Sequence, residues 1–157
     1  MQKIYSMTFS ETGLNKNIQK AITDLGFDTP TPIQQESIPY LLENTNDLIA
    51  LAQTGTGKTA AFGLPVLHKI DVERKIPQAI ILCPTRELCL QIAKDMETYA
   101  KYTKGLKITA VYGGASIMPQ IKSLKSGTQI VVGTPGRVID LINRKSLKLQ
   151  DIEFVVL

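Results

Sequence analysis

The sequence predicts an α/β fold, a mostly parallel sheet with helices on both faces. Three observations carry this prediction. Short apolar runs of strand length alternate with longer segments of helical apolar spacing. The apolar runs close on Gly, Pro or Thr and pass into a helix start. One such junction, Leu48 to Thr59 (LIALAQTGTGKT), sets a glycine-rich loop between an apolar run and an apolar helix. Strands joined through helices run parallel with right-handed crossovers, and such sheets bind ligands at the carboxyl ends of their strands.

In chain order, Phe9 to Leu25 has helical spacing at Leu14, Ile18, Ala21, Ile22 and Leu25, with Gly26 as C-cap. Pro30 and Pro32 force an extended turn, after which Thr31 as N-cap and Pro32 at the first position start a helix to about Leu42. Leu48–Ala52 reads as a strand buried on both faces, and Ala60–Ile70 as the helix after the loop. Further strands are expected at Gln78–Cys83, Lys107–Tyr112, Gln129–Gly133 and Glu153–Leu157. Helices are expected from Arg86 to about Tyr102, Ser116 to Ser126, and about Arg137 to Asn143. The candidate motifs fall at strand ends, except the turn Phe27–Gln34, which precedes a helix.

Composition bounds the function classes. At 157 residues the chain is one domain with room for a core, and 43% hydrophobic with 20% charged residues is the balance of a soluble globular protein. No apolar run is long enough to span a bilayer, and the N-terminus MQKIYSMTFSETG has no apolar signal region, so a cytoplasmic location and no membrane partner are expected. Cys83 and Cys89 lack metal-ligand spacing and are expected as buried thiols; His68 is alone, which excludes a histidine metal site or triad. Residues 1–100 hold nine Lys/Arg and eleven Asp/Glu, a net of −2, whereas residues 101–157 hold nine and three, a net of +6. That basic half suits either a polyanion or an ordinary lysine-rich surface.

The Leu48–Thr59 junction carries the sharpest chemistry. Gln53, Thr54, Gly55, Thr56 and Gly57 form a loop whose glycines let backbone N–H groups converge on phosphate oxygens, and the following helix N-terminus adds unpaired donors. Lys58 would reach the β- and γ-phosphates, and the Thr59 hydroxyl would ligate Mg²⁺. Ala52 stands where the strict phosphate-loop pattern has Gly. In the Phe27–Gln34 turn, an aromatic ring can stack on a base and an amide offers a donor beside an acceptor, matching an adenine edge; the same residues also suit a merely packed turn.

Taken together these stretches resemble the motifs of DEAD-box RNA helicases. Gly26-Phe27-Asp28-Thr29-Pro30-Thr31-Pro32-Ile33-Gln34 is similar to the Q motif, with Phe9 in the place of its isolated upstream aromatic, giving a Q-motif region over residues 7–35. Ala52–Thr59 resembles motif I, whose family form begins with Ala. Pro84-Thr85-Arg86-Glu87-Leu88 with Gln91 resembles motif Ia, Gly113-Gly114 the GG element, and Thr134-Pro135-Gly136-Arg137 motif Ib. The resemblance implies a RecA-like P-loop fold with its last strands missing, residues 1–157 being part of an N-terminal RecA-like ATP-binding domain. It implies ATP and Mg²⁺ as cofactors, and as partners single-stranded or duplex RNA and a second RecA-like domain.

It also implies roles. Phe27 would stack on adenine, Gln34 would read its edge with Thr29 nearby, and Phe9 would buttress the pocket. Lys58 and Thr59 would serve catalysis. Motifs Ia, GG and Ib would grip the RNA sugar-phosphate backbone, which positions a strand without reading its sequence. Arg86 also suits an ion pair with Glu87 or a cap. The family pattern would continue past Leu157 into Asp-Glu-Ala-Asp, a Ser-Ala-Thr element and a second domain. Asp151 and Glu153 precede their strand and do not replace those carboxylates. The expectation is therefore nucleotide binding without efficient turnover by this chain, and a sheet less stable than a completed one. A P-loop NTPase of another class and a non-catalytic nucleotide- or RNA-binding module are the alternatives.

Overall fold

Four short runs rich in β-branched residues form a parallel sheet. In a computed structural model, which describes residues 7–157, they are β1 (Ala79–Leu82), β2 (Ile108–Val111), β3 (Ile130–Gly133) and β4 (Phe154–Val156), in the order β2-β3-β1-β4. β1 is central, with Ile80 in register with Val131 and with Val155. Around the strands lie a 3₁₀ turn (Phe9–Thr12) and the helices α1 (Lys16–Asp24), α2 (Pro32–Glu43), α3 (Lys58–Lys69), α4 (Arg86–Tyr99), α5 (Ile117–Lys125) and α6 (Pro135–Asn143). No helix among the described residues is long and apolar enough to cross a membrane. The first six residues of the N-terminal segment read above lie outside the described residues.

Two compact units are distinguishable: one takes in the chain up to Lys69 with Tyr99–Tyr102, the other Ile70–Thr98 and Thr103–Leu157. In the first, α2 packs on α3, and Ile18, Ile22, Ile38 and Leu64 are fully buried. Pro65 lies inside α3 and has no N–H to give to Ala61 O; the Ser37 hydroxyl of α2 sits 3.4 Å from that carbonyl. In the second unit, period-two alternation sends Ile80, Val111 and Val131 into a cluster with Leu124, Val138, Leu141 and Leu147. Ile81, Ile130 and Val132, on the opposite face, are buried as well. Burial of both faces is the condition under which parallel strands read as continuous apolar runs.

Three expected elements differ. Phe9–Leu25 is not one helix: Gly13, at φ +85, ends the 3₁₀ turn, and Asn15 starts α1 by accepting a bond from Ile18 N at 3.1 Å. Leu48–Ala52 is not a strand. It lies outside the four-stranded sheet, and Ile49 and Leu51 are 90% and 91% exposed. Apolarity favours burial of such a run, but a strand also needs a neighbouring backbone to pair with, and the sheet does not supply one here. The helix expected from Arg137 begins at Pro135 instead, where proline at the first position suits a helix start.

The single histidine serves the first unit. His68 Nδ1 accepts a bond from Asn15 N at 3.1 Å, which requires the neutral ring, and partial burial with the neighbouring Lys69 charge holds its pKa below the ordinary 6.5. The unfolded chain therefore takes up this proton first. The stability His68 contributes is present above about 6.5 and is lost as pH falls from there through the lower folded value. Urea midpoints should drop on mild acidification, and His68→Gln should flatten that part of the dependence; an unchanged dependence in the variant would assign it elsewhere.

Candidate functional site

In the first unit the phosphate-type loop and the Phe27–Gln34 turn meet. Gln34 is buried, and its Oε1 accepts a bond from Thr31 N at 2.9 Å while its Nε2 donates to Gly57 O at 3.0 Å. The first bond caps α2; the second reaches into the loop. Thr31 Oγ1 adds a bond to Thr56 O at 2.8 Å. An amide carries two donor hydrogens and two acceptor lone pairs, so one of each remains after these bonds. Phe9 is buried against Phe27, ring centroids 6.3 Å apart and nearly parallel, and Tyr99 lies 6.3 Å from the other ring pair member, Phe27. Phe27 itself stays part-exposed, and Thr29 is exposed.

The loop is closed on itself. Thr56 Oγ1 donates to Gln53 O at 2.7 Å, and Lys58 Nζ donates to Ala52 O at 2.7 Å, so the ammonium spans the loop with two further hydrogens to give. Gly55 and Gly57 sit at φ +81 and +82, the left-handed region that glycine enters without strain. Thr54 is exposed, and Thr59 opens α3 beside Lys58. No group of three or more His, Cys, Asp or Glu able to hold a metal occurs among the described residues. The Thr59 hydroxyl, part-exposed in the first turn of α3, is an oxygen of the type a hard cation accepts. That fits a hard cation which takes most of its ligands from water and substrate phosphates.

The second unit gathers the remaining candidates near the carboxyl ends of β1, β2 and β3. Pro84 and Thr85 follow β1; Thr85 Oγ1 accepts a bond from Leu88 N at 3.2 Å and caps α4. Arg86 does not need Glu87 as its neighbour: its guanidinium lies 4.9 Å from the Tyr112 ring centroid, a cation–π contact. Glu87 is exposed in the first turn of α4, where a carboxylate suits the helix dipole, and Gln91 donates to Asp95 Oδ1 at 2.7 Å along the same helix. Gly113 and Gly114 are exposed after β2, and a Cβ added at Gly113 would meet nothing within 4 Å. Thr134 and Pro135 lead from β3 into α6, Gly136 is exposed, and Arg137 donates through one terminal nitrogen to Gln120 Oε1 and through the other to Ala115 O, each at 3.0 Å.

Sequence reasoning passed over Tyr112 and Gln120, because a tyrosine and a helical glutamine match no spacing rule. The one available signal was an amide on an otherwise apolar stretch of helix. Asp151 and Glu153 pair with Arg74 before β1 and β4, away from the strands' carboxyl ends. Both cysteines are buried free thiols; burial raises both pKa values, that of Cys89 to about 11, so neither is a nucleophile at neutral pH.

Comparison with known proteins shows the family of the chain. The family model described as DEAD/DEAH box helicase matches residues 31–157. The ATP-dependent RNA helicase DeaD of Haemophilus influenzae is 51% identical over 151 residues, covering 96% of this chain and 24% of that protein. The ATP-dependent RNA helicase CshA of Listeria monocytogenes is 53% identical over 149 residues, covering 95% and 28%. The chain thus spans roughly a quarter of the curated relatives it matches. Among solved structures, a DEAD box protein from Methanococcus jannaschii superposes with a TM-score of 0.90 at 45% identity, over 95% of this chain and 40% of that one. Dbp5 of S. cerevisiae bound to RNA and ADP BeF3 superposes with a TM-score of 0.85 at 36% identity, over 95% and 37%.

Proposed function

Since the chain belongs to the DEAD/DEAH box helicase family, we propose that residues 1–157 are the ATP-binding and RNA-backbone-binding part of the N-terminal RecA-like domain of an ATP-dependent RNA helicase, with the Q-motif region at residues 7–35. Hydrolysis and local duplex unwinding belong to the whole protein, acting in the cytoplasm with a second RecA-like domain that closes over ATP and RNA.

The observation that carries this reading is the Gln34 amide, held between Thr31 N and Gly57 O. It makes the base-facing turn and the phosphate loop one device, so adenine recognition by Gln34 and Phe27 is felt at the phosphates. Lys58 leaves Ala52 O for the β- and γ-phosphate oxygens, and the loop N–H groups with the α3 N-terminus surround them. Thr59 would hold Mg²⁺ through its hydroxyl, and the ion would supply neutralising charge beside those oxygens. Arg86, Arg137 and the exposed glycines Gly113, Gly114 and Gly136 approach phosphates of one RNA strand. Pro84, Thr85, Glu87, Gln91, Thr134 and Pro135 shape that edge.

The test is a fluorescence titration of the chain with labelled ADP and labelled GDP. ADP should bind in preference to GDP. Gln34→Ala should remove the preference, and Lys58→Ala should weaken both by about ten- to a hundredfold, the loss of a charge-assisted contact being worth about 1.5–3 kcal/mol. Equal affinity for ADP and GDP in the unsubstituted chain would favour a P-loop NTPase of another class.

A further inference from the structure

We propose that Gln120 is a positioning residue for the RNA-backbone grip: its single buried amide joins the end of β2, the glycine turn after it and the first turn of α6, and so sets where Arg86 and Arg137 stand. The inference rests on the RNA reading above and adds to it a residue outside every motif.

Gln120 is 8% exposed, and its amide makes three of its four possible hydrogen bonds. Oε1 accepts from Tyr112 N at 3.2 Å, and Nε2 donates to Tyr112 O at 3.1 Å. Those two bonds hold both polar backbone groups of Tyr112, as a neighbouring strand would. β2 is an edge strand, and Tyr112 is the first residue beyond it, so without Gln120 the chain entering Gly113-Gly114 would lose this anchor. The same Oε1 also accepts from Arg137, whose second terminal nitrogen reaches Ala115 O just past the glycines. The Arg137 fork therefore bridges α6 to both ends of the turn, while three of its five N–H donors stay available.

Arg86 is tied to the same assembly from the third side. Its guanidinium rests against the Tyr112 ring at 4.9 Å, and a Cβ at Gly114 would stand 3.9 Å from one of its terminal nitrogens. Tyr112 is thus held by its backbone on Gln120 and holds Arg86 by its ring. Fixing Tyr112 fixes both arginines relative to an exposed backbone turn, which is what gripping consecutive phosphates requires. Glutamine is the side chain that does this. Glutamate would accept from Tyr112 N and Arg137 but set a carboxylate against Tyr112 O, and methionine would fill the space and make none of the bonds.

The test uses the 157-residue chain and a fluorescein-labelled single-stranded polyuridine RNA, with labelled ADP as a second ligand. Gln120→Met should weaken RNA binding about five- to tenfold. It should reduce the salt slope of that affinity by about 0.7, the value of one single-strand phosphate contact, and leave ADP affinity unchanged. Exchange of the Tyr112 amide hydrogen should accelerate in the same variant. Combined with Arg137→Ala, the substitution should add little further loss, because both remove one linkage. A variant that melts earlier yet keeps the RNA affinity and salt slope would show a structural role only and overturn the proposal, as would additive losses in the double variant. If the unsubstituted chain binds ADP and not RNA, the RNA reading itself falls and takes this inference with it.

Discussion

Gly133→Ala is expected to destabilise the second unit by about 1–3 kcal/mol, the usual cost of forcing atoms into a packed core. The new Cβ would stand 2.5 Å from Val138 Cγ2 and 2.7 Å from Val111 Cγ2, with Val111 O at 3.3 Å. Both methyls belong to buried valines with stiff side chains, and the carbonyl is backbone, so no flexible end can give way. Urea unfolding should show a lower midpoint at unchanged slope. Adding Val138→Ala should recover part of the loss, since it removes the tighter contact. Gly133 ends β3 immediately before Thr134-Pro135-Gly136-Arg137, so any shift that accommodates the Cβ also moves Arg137. An unaltered midpoint in Gly133→Ala would show that β3 relaxes freely and that this packing does not set the position of α6.

Gly57→Ala is expected to weaken ADP binding at least tenfold and to erase the preference for ADP over GDP. Two effects combine. At φ +82 an alanine is strained by about 1–2 kcal/mol, and its Cβ would lie 2.3 Å from Gln34 Nε2, which must leave. Gly55→Ala separates them. Its φ is +81, so the backbone strain is the same, but a Cβ there meets nothing within 4 Å. Gly55→Ala should therefore destabilise the chain comparably while keeping the ADP preference. If both variants lose the preference equally, the Gln34–Gly57 contact is not what transmits base recognition to the loop.

Much of the fold was legible because apolar period and turn chemistry act locally. The runs Ala79–Leu82 and Ile130–Gly133 are apolar on both faces, and each closes on a Pro- or Gly-containing turn, so their strand character and parallel placement follow from residue order. The start of α2 was equally readable from Thr31 and Pro32. The loop before α3 was readable as a loop because Gly55 and Gly57 take positive φ there and Lys58 opens the helix. Leu48–Ala52 misled because a strand is defined by its neighbour as much as by its own residues, and composition is silent about the neighbour. The sequence by itself determined the α/β class, the order of the elements from Lys58 onward, and the glycine-rich loop before α3 with the Phe27–Gln34 turn as its candidate partner. Tertiary structure alone decided that Gln34 bonds Gly57, that Gly57 and Gly55 have different surroundings, that Arg86 rests on Tyr112, and that Gln120 bonds both Tyr112 and Arg137. The reason is physical: periodicity and turn propensity are properties of adjacent residues, whereas a hydrogen bond or a ring contact depends on which distant segments folding brings within about 3–6 Å.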